Sequence, residues 1–122
     1  MTIALWIVNI VLALVYLAAG AMKALRPASA LKESGMPWVE DFAPGTVKLI
    51  GIAEVVGAVG LIVPFATGIA AVLTPIASTA LTVIMIGAVV VHLRRKENAL
   101  VQVVLTLVTA VSAVLGFLVV LG

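Results

Sequence analysis

The residue with the clearest chemical demand is Glu54, a carboxylate inside an otherwise apolar stretch that runs from Lys48 to Pro64. An ionised carboxylate at that depth in a membrane costs about 3 kcal/mol or more unless it has a partner, is protonated or faces water. Lys48 precedes it on the same predicted helix. Their separation corresponds to about 240° of rotation and roughly 9 Å of rise, so Lys48 is a poor partner. Glu54 therefore needs a partner on another helix.

Three other basic or titratable residues fall in the same half of the membrane as Glu54, namely Lys23, Arg26 and His92. A lysine side chain can reach inward by several Å, and a histidine exchanges protons near neutral pH. We therefore predict a cytoplasm-facing polar cavity built from Lys23, Glu54 and His92, with Lys48 near its mouth. The alternative is a structural ion pair between Lys23 and Glu54 that fixes the register of two helices, with His92 merely interfacial.

The composition places these residues in a membrane protein. Hydrophobic residues make up 65% of the 122 residues and charged residues 10%, and the mean hydropathy is +1.39. Soluble domains run at roughly 45–50% apolar and 25% charged residues. The chain is therefore expected to be all-α, as an integral membrane four-helix bundle. Its net charge of only +2 indicates topology rather than nucleic-acid binding. The absence of cysteine and the single histidine argue against a metal site.

Four uncharged runs predict spans of about 3–24, 46–63, 67–92 and 99–121 in a single membrane domain, 1–122. The first run is expected to be a retained span, because it lacks the basic start of a signal peptide, which is the alternative. Asn9 and Tyr16 are seven residues apart and should share its inward face. Pro64 and Gly68 predict a tight turn between the second and third spans. Pro75 should kink the third span, and the alternative is that the second and third spans are divided at Pro75 instead of at Pro64–Gly68.

The loop of residues 27–45 is the only long polar stretch, and it contains Trp38 and Phe42. We interpret it as a surface loop with interfacial aromatic anchors, with a substrate lid as the alternative. All seven Lys and Arg residues fall on the membrane face of this loop. By the positive-inside rule that face is cytoplasmic, which predicts an inner-membrane protein with both termini outside the cytoplasm.

The small residues of the second span suit close helix packing, as in small-xxx-small motifs. They are Gly51, Ala53, Gly57 and Gly60. A ligand could use the same space, but packing is the favoured interpretation.

Four short patterns, in order and on four spans, resemble the DoxX-like family of small membrane proteins. They are Gly20-x-x-Lys23, Met36-Pro37-Trp38, Lys48-x-x-Gly51-x-x-Glu54 and Gly87-Ala-Val-Val-Val-His92-Leu-Arg94. The resemblance implies a four-helix membrane bundle in which Lys23, Glu54 and His92 are shared polar positions with no established catalytic role. It also implies a link to redox chemistry, because the family takes its name from a relative associated with thiosulfate oxidation coupled to membrane quinone. Other relatives are linked to redox stress complexes.

These observations predict a membrane protein that binds a small amphiphile, quinone-like or lipid-like, or an anion, within a membrane redox complex. No nucleophile–base pair, phosphate-binding glycine loop or metal-ligand spacing occurs in the sequence. The chain is therefore expected to be at most a subunit of an oxidoreductase complex, without a covalently bound cofactor. Two alternatives remain: a non-enzymatic scaffold or assembly subunit, and a small transporter that would need a homo-oligomer to form its pathway.

Overall fold

Four long helices make up most of the protein. A computed structural model describes residues 1–122, and the long helices are α1 (Thr2–Leu25), α3 (Pro44–Thr67), α4 (Leu73–Arg94) and α5 (Leu100–Leu121). The short helix α2 (Ala28–Glu33) and a 3-10 segment (Pro37–Asp41) lie between α1 and α3. All four long helices are long and apolar enough to cross a membrane, with mean hydropathy from 2.2 to 2.7. The prediction of an all-α, four-helix membrane bundle is confirmed.

The four long helices form a closed ring. Helix α1 packs mainly on α3, α3 on α4 and α4 on α5, and a smaller contact between α5 and α1 closes the bundle. Buried positions recur every three or four residues, as a helix with one inward face requires. On α1 and α3 they are Leu5, Asn9, Leu12, Tyr16, Gly20, Lys23, Val47, Gly51, Glu54, Ala58 and Leu61. The opposite faces expose large aliphatic side chains, which lipid rather than water would cover.

Helix α3 continues through Pro64, so the predicted turn begins four residues later than the sequence indicated. Proline has no N–H, and the carbonyl of Gly60, one turn earlier, therefore lacks its helical donor. The hydroxyl of Thr74, on α4, donates to Gly60 O at 2.8 Å and replaces that bond. The helix ends at Gly68, which has a left-handed backbone (φ 72°) that favours glycine.

Pro75 does not kink a span, contrary to the sequence-based expectation. It lies in the first turn of α4, where backbone N–H groups have no partner within the helix and a proline costs little. Gly116 of α5 packs on it, and a Cβ atom at Gly116 would lie 2.9 Å from Pro75 Cβ. Pro75 therefore begins α4 and provides a contact surface for α5.

A buried hydrogen-bond network joins all four long helices. Asn9 donates through Nδ2 to Leu61 O at 3.0 Å, which leaves its Oδ1 to accept from Ser112 Oγ at 2.5 Å. Because Ser112 donates to Asn9, it accepts from Ser78 Oγ, 2.9 Å away, and the contact of Ser78 Oγ with Thr74 O is longer at 3.3 Å. All three side chains are 0% exposed. The network connects α1, α3, α4 and α5 at one level of the bundle.

A second polar contact joins α1 to α5. The hydroxyl of Tyr16 lies 2.7 Å from Thr109 Oγ1, and Thr109 Oγ1 lies 2.5 Å from Leu105 O. Because a carbonyl only accepts, Thr109 donates to it and accepts from Tyr16. Asn9 and Tyr16 are 0% and 1% exposed, so the prediction that both face inward is confirmed.

Candidate functional site

Helices α1 and α3 touch at two glycines. A Cβ atom on Gly51 would lie 2.6 Å from Gly20 O, and a Cβ atom on Gly20 would lie 2.6 Å from Gly51 O. These distances are shorter than any normal carbon–oxygen contact, so only glycine allows the two backbones to approach this closely. Gly57 and Gly60 instead leave room for the side chains of Leu81 and Ala77 on α4, whereas Ala53 is exposed.

The glycine contact brings Lys23 and Glu54 together. Each follows its glycine by three residues, on helices that run in opposite directions. Helical side chains tilt toward the N-terminus of their own helix, so the two side chains converge on the level of the glycines. Lys23 Nζ lies 2.5 Å from Glu54 Oε1, and the two side chains are 8% and 1% exposed. Lys23 on α1 is thus the interhelical partner that the Glu54 carboxylate requires.

The ion pair forms the polar end of a pocket of about 270 Å³ between α3, α4 and the 3-10 segment. We call it the Lys23–Glu54 pocket. Eight of its 12 lining residues are hydrophobic, so it is less polar than the sequence indicated. Its apolar wall includes Ile50 on α3 and Ile84, Ala88 and Val91 on α4. His92 lines the pocket as well.

His92 has unused hydrogen-bonding capacity. Its Nδ1 atom is buried without a hydrogen-bond partner, and the nearest carboxylate oxygen, Glu97 Oε1, is 3.8 Å away. Glu97 Oε1 already accepts from Arg95 Nε at 2.8 Å. Buried polar atoms in native proteins nearly always have a partner, so the unpaired Nδ1 of a residue that lines a pocket marks His92 as a candidate for binding a ligand or water. The side chain of His92 is 12% exposed.

Lys48 does not line this pocket. It is exposed near the start of α3, on a different face of the helix from Glu54. With Lys23 and Arg26 it lines a separate surface pocket. The structure thus brings Lys23, Glu54 and His92 to one pocket and leaves Lys48 outside it.

The loop between α1 and α3 covers the Lys23–Glu54 pocket. This position resembles that of a lid, which was the alternative to a surface loop in the sequence analysis. Trp38 and Phe42 both line the pocket, with their rings edge to face at a centroid distance of 5.7 Å. Lys23 Nζ lies 5.6 Å from the Trp38 ring centroid, within the range of a cation–π contact. Beneath the loop, Leu31, Val39 and Val47 form a small buried cluster.

Arg95, just after α4, holds this loop in place. Its guanidinium donates to Asp41 at 2.5 Å and to Glu40 at 2.8 Å, and Lys32 also pairs with Glu40 at 2.7 Å. Hydrogen bonds from Lys32 and Arg95 lower the pKa of Glu40 from its ordinary 4.5 to about 2. In turn, the hydrogen bonds that Arg95 donates to carboxylates hold its pKa well above the ordinary value, and the bond to Glu40 contributes most. Sequence reasoning missed this contact because its partners are more than 50 residues apart.

One family matches nearly the whole chain. The sequence profile described as the DoxX-like family matches residues 7–120. That range includes both glycines of the helix contact, the ion pair and His92. No curated protein and no solved structure matches the chain.

Proposed function

The chain belongs to the DoxX-like family of membrane proteins, and we propose that its Lys23–Glu54 pocket binds the head group of a neutral amphiphile, quinone-like or lipid-like. The observations that carry this proposal are that His92 lines the same apolar pocket as the buried ion pair, and that its Nδ1 atom has no hydrogen-bond partner within the protein. A ligand that accepts or donates one hydrogen bond there would satisfy a group that the protein leaves unpaired.

The charge of the site favours a neutral ligand over an anion. Lys23 is the only cation that lines the pocket besides the titratable His92, and Glu54 pairs with it at 2.5 Å. The ion pair has no net charge, so an anion would gain little attraction while losing its hydration. A neutral head group can use the remaining N–H donors of Lys23 without disturbing the pair.

The size of the pocket favours a head group rather than a whole ligand. Its volume of about 270 Å³ lies just below the range of about 300–1,000 Å³ that is typical of small-molecule sites. Ile84 lines both this pocket and an open, mostly apolar groove of about 500 Å³ on the surface between α3 and α4. Small residues form much of that groove, including Gly57, Gly60 and Ala77. A hydrocarbon tail would leave the pocket along it.

The residues present fit a quinone ring. Trp38 and Phe42 provide aromatic surface, and Lys23 and His92 provide donors for carbonyl oxygens. A bound quinone would supply two-electron redox chemistry. The role of this chain would be to bind and orient the ring, to exclude water with Trp38, and to exchange a proton at His92.

The chain would act as one subunit of a membrane redox complex. It lies in the inner membrane in this proposal, with the pocket toward the cytoplasm, both termini outside, and the electron donor in a partner protein. The seven Lys and Arg residues near the pocket end of the bundle support that orientation. A homo-oligomer would be compatible with the apolar outer faces of the four helices.

The test is mass spectrometry of small molecules that copurify with the protein in mild detergent. The informative variant is Lys23→Met/Glu54→Leu, which removes both charges and roughly keeps the side-chain volume. Replacing a buried ion pair with packed apolar residues is often neutral or stabilising, so this variant should fold. We expect a quinone or lipid in the wild type and its loss in the double variant. A double variant that keeps the same ligand would refute the proposal.

A structural role is the second candidate, because the ion pair lies directly at the Gly20–Gly51 contact. In that case the pair fixes the register of α1 and α3 and the protein is a scaffold. Glu54→Gln alone should then lower the free energy of unfolding by about 3–5 kcal/mol, less whatever Lys23 recovers by reaching toward water. The profile of copurifying molecules would be the same in the wild type and the variants.

A further inference from the structure

A second pocket lies where α1 ends and α3 begins, and it shares only Lys23 with the Lys23–Glu54 pocket. Its volume is about 250 Å³, and its walls include Arg26, Pro27, Pro44 and Lys48. We call it the Arg26–Lys48 pocket. It contains no carboxylate among its eight lining residues. We infer that it binds a phosphate group, either the head group of an anionic lipid or free phosphate.

The ion pairs of the protein leave these two cations free. Of the seven Lys and Arg residues, three have carboxylate partners within 4 Å. They are Lys23, Lys32 and Arg95. The cations without such a partner are Arg26, Lys48, Arg94 and Lys96. Two of these four line one pocket, so positive charge is concentrated there without internal compensation.

The side-chain chemistry suits phosphate. Arg26 makes only one side-chain hydrogen bond within the protein, a 3.4 Å contact with Ser34 Oγ, and most of its donors are free. A guanidinium binds phosphate oxygens in a bidentate manner, and a lysine beside it adds a point charge. Both side chains are exposed, so folding of the protein does not desolvate their charges.

The depth of the pocket matches the head-group layer. It lies at the last turn of α1 and the first turn of α3, which are the ends of two membrane-crossing helices. Basic pockets between helices at this level bind anionic lipid head groups in membrane proteins. Leu31 and Val47 form its apolar part, which suits the first methylene groups of the acyl chains.

The variant Arg26→Gln/Lys48→Gln tests the site against a matched control, Arg94→Gln/Lys96→Gln. Both remove two positive charges from the same end of the bundle, and all four side chains are exposed without a carboxylate partner. A gain in affinity of about fivefold from each of the two cations in contact with the bound head group predicts that the first variant loses about 25-fold. The control should lose less than about threefold, because Arg94 and Lys96 do not line the pocket. Helical content by circular dichroism checks that both variants fold.

Native mass spectrometry in detergent measures the binding, with phosphatidylglycerol as the probe and phosphatidylcholine as the zwitterionic comparison. Inorganic phosphate is then added as a competitor. If it displaces the lipid, the site takes free phosphate; if it does not, the site takes the lipid head group, and both results support a phosphate site. Equal losses in the two double variants would show a diffuse positive field only and would overturn the inference. Unchanged binding in Arg26→Gln/Lys48→Gln would overturn it as well.

Discussion

The substitution Gly51→Ala tests whether the α1–α3 glycine contact positions the candidate site. The added methyl group would lie 2.6 Å from Gly20 O, 2.7 Å from Ala24 N and 2.7 Å from Lys23 Cβ. Two of these neighbours are backbone atoms, so no side-chain rotation can relieve the overlap. The helices themselves must separate.

The required displacement can be worked out from these distances. Carbon–oxygen contacts in proteins lie at about 3.3–3.6 Å, so α1 and α3 must separate locally by about 0.7–1.0 Å. Overpacking of this kind typically costs about 1–3 kcal/mol. The separation also acts directly at the Lys23–Glu54 hydrogen bond, which is 2.5 Å long. We therefore expect weaker ligand binding as well as lower stability.

The assay is equilibrium unfolding in mixed micelles, with Gly87→Ala as the control. Gly87 also lies within a long helix, but a Cβ atom there would meet nothing within 4 Å. Because Gly87 lines the Lys23–Glu54 pocket, it is a control for stability and not for ligand binding. The control should be unchanged or slightly more stable, because alanine favours a helix. Equal stabilities of Gly51→Ala and Gly87→Ala would refute this account of the α1–α3 contact.

A double variant sharpens this test. Gly20→Ala alone should cost about as much as Gly51→Ala, because its Cβ atom would lie 2.6 Å from Gly51 O. Once one methyl group has separated the helices, the second should fit more easily. The two costs should therefore sum to more than the cost of the double variant. Additive costs would indicate that the two glycines do not share one contact.

Two further predictions concern the hydrogen bond across Pro64 and the loop over the pocket. Thr74→Val should cost about 1–3 kcal/mol in unfolding, because Gly60 O then has no donor. Pro64→Ala restores an N–H for that carbonyl, so Thr74→Val should cost much less in that background, and an equal cost would contradict the account. The pKa of Glu40 is lowered from 4.5 to about 2, so its ion pairs stabilise the loop fully above pH 4.5 and are lost as the pH falls toward 2. In a Trp6→Phe background Trp38 is the sole tryptophan, and its fluorescence should shift to longer wavelength across that range. Glu40→Gln should reduce the change, and a shift of equal size in both proteins would exclude Glu40 as its cause.

The sequence by itself determined the class of the protein and the chemical demand at its centre. A hydrophobic fraction of 65% leaves no soluble fold available, and four uncharged runs of span length predict four helices. The inward positions of Asn9 and Tyr16 follow from helical periodicity. The need of Glu54 for a partner on another helix follows from the cost of a buried charge. These conclusions depend on local spacing and on transfer free energies, which the sequence contains.

The course of α3 through Pro64 depended on tertiary structure. Proline normally predicts a turn because it removes a backbone donor, and that penalty is local. The compensating donor is Thr74 on the next helix, at 2.8 Å from Gly60 O. A local pattern cannot show that a missing donor is replaced by a side chain from another helix.

The cover of the pocket also depended on tertiary structure. From the sequence, Glu40 and Asp41 belong to a predicted surface loop, and Arg95 is one of the cations that mark the cytoplasmic face. The structure pairs them, and thereby places Trp38 beside Lys23. The sequence determined which groups could not remain alone in a membrane, because that depends on each residue's own transfer free energy. Only the packing of distant segments decided which partner each group found, because those contacts depend on helix approach and crossing.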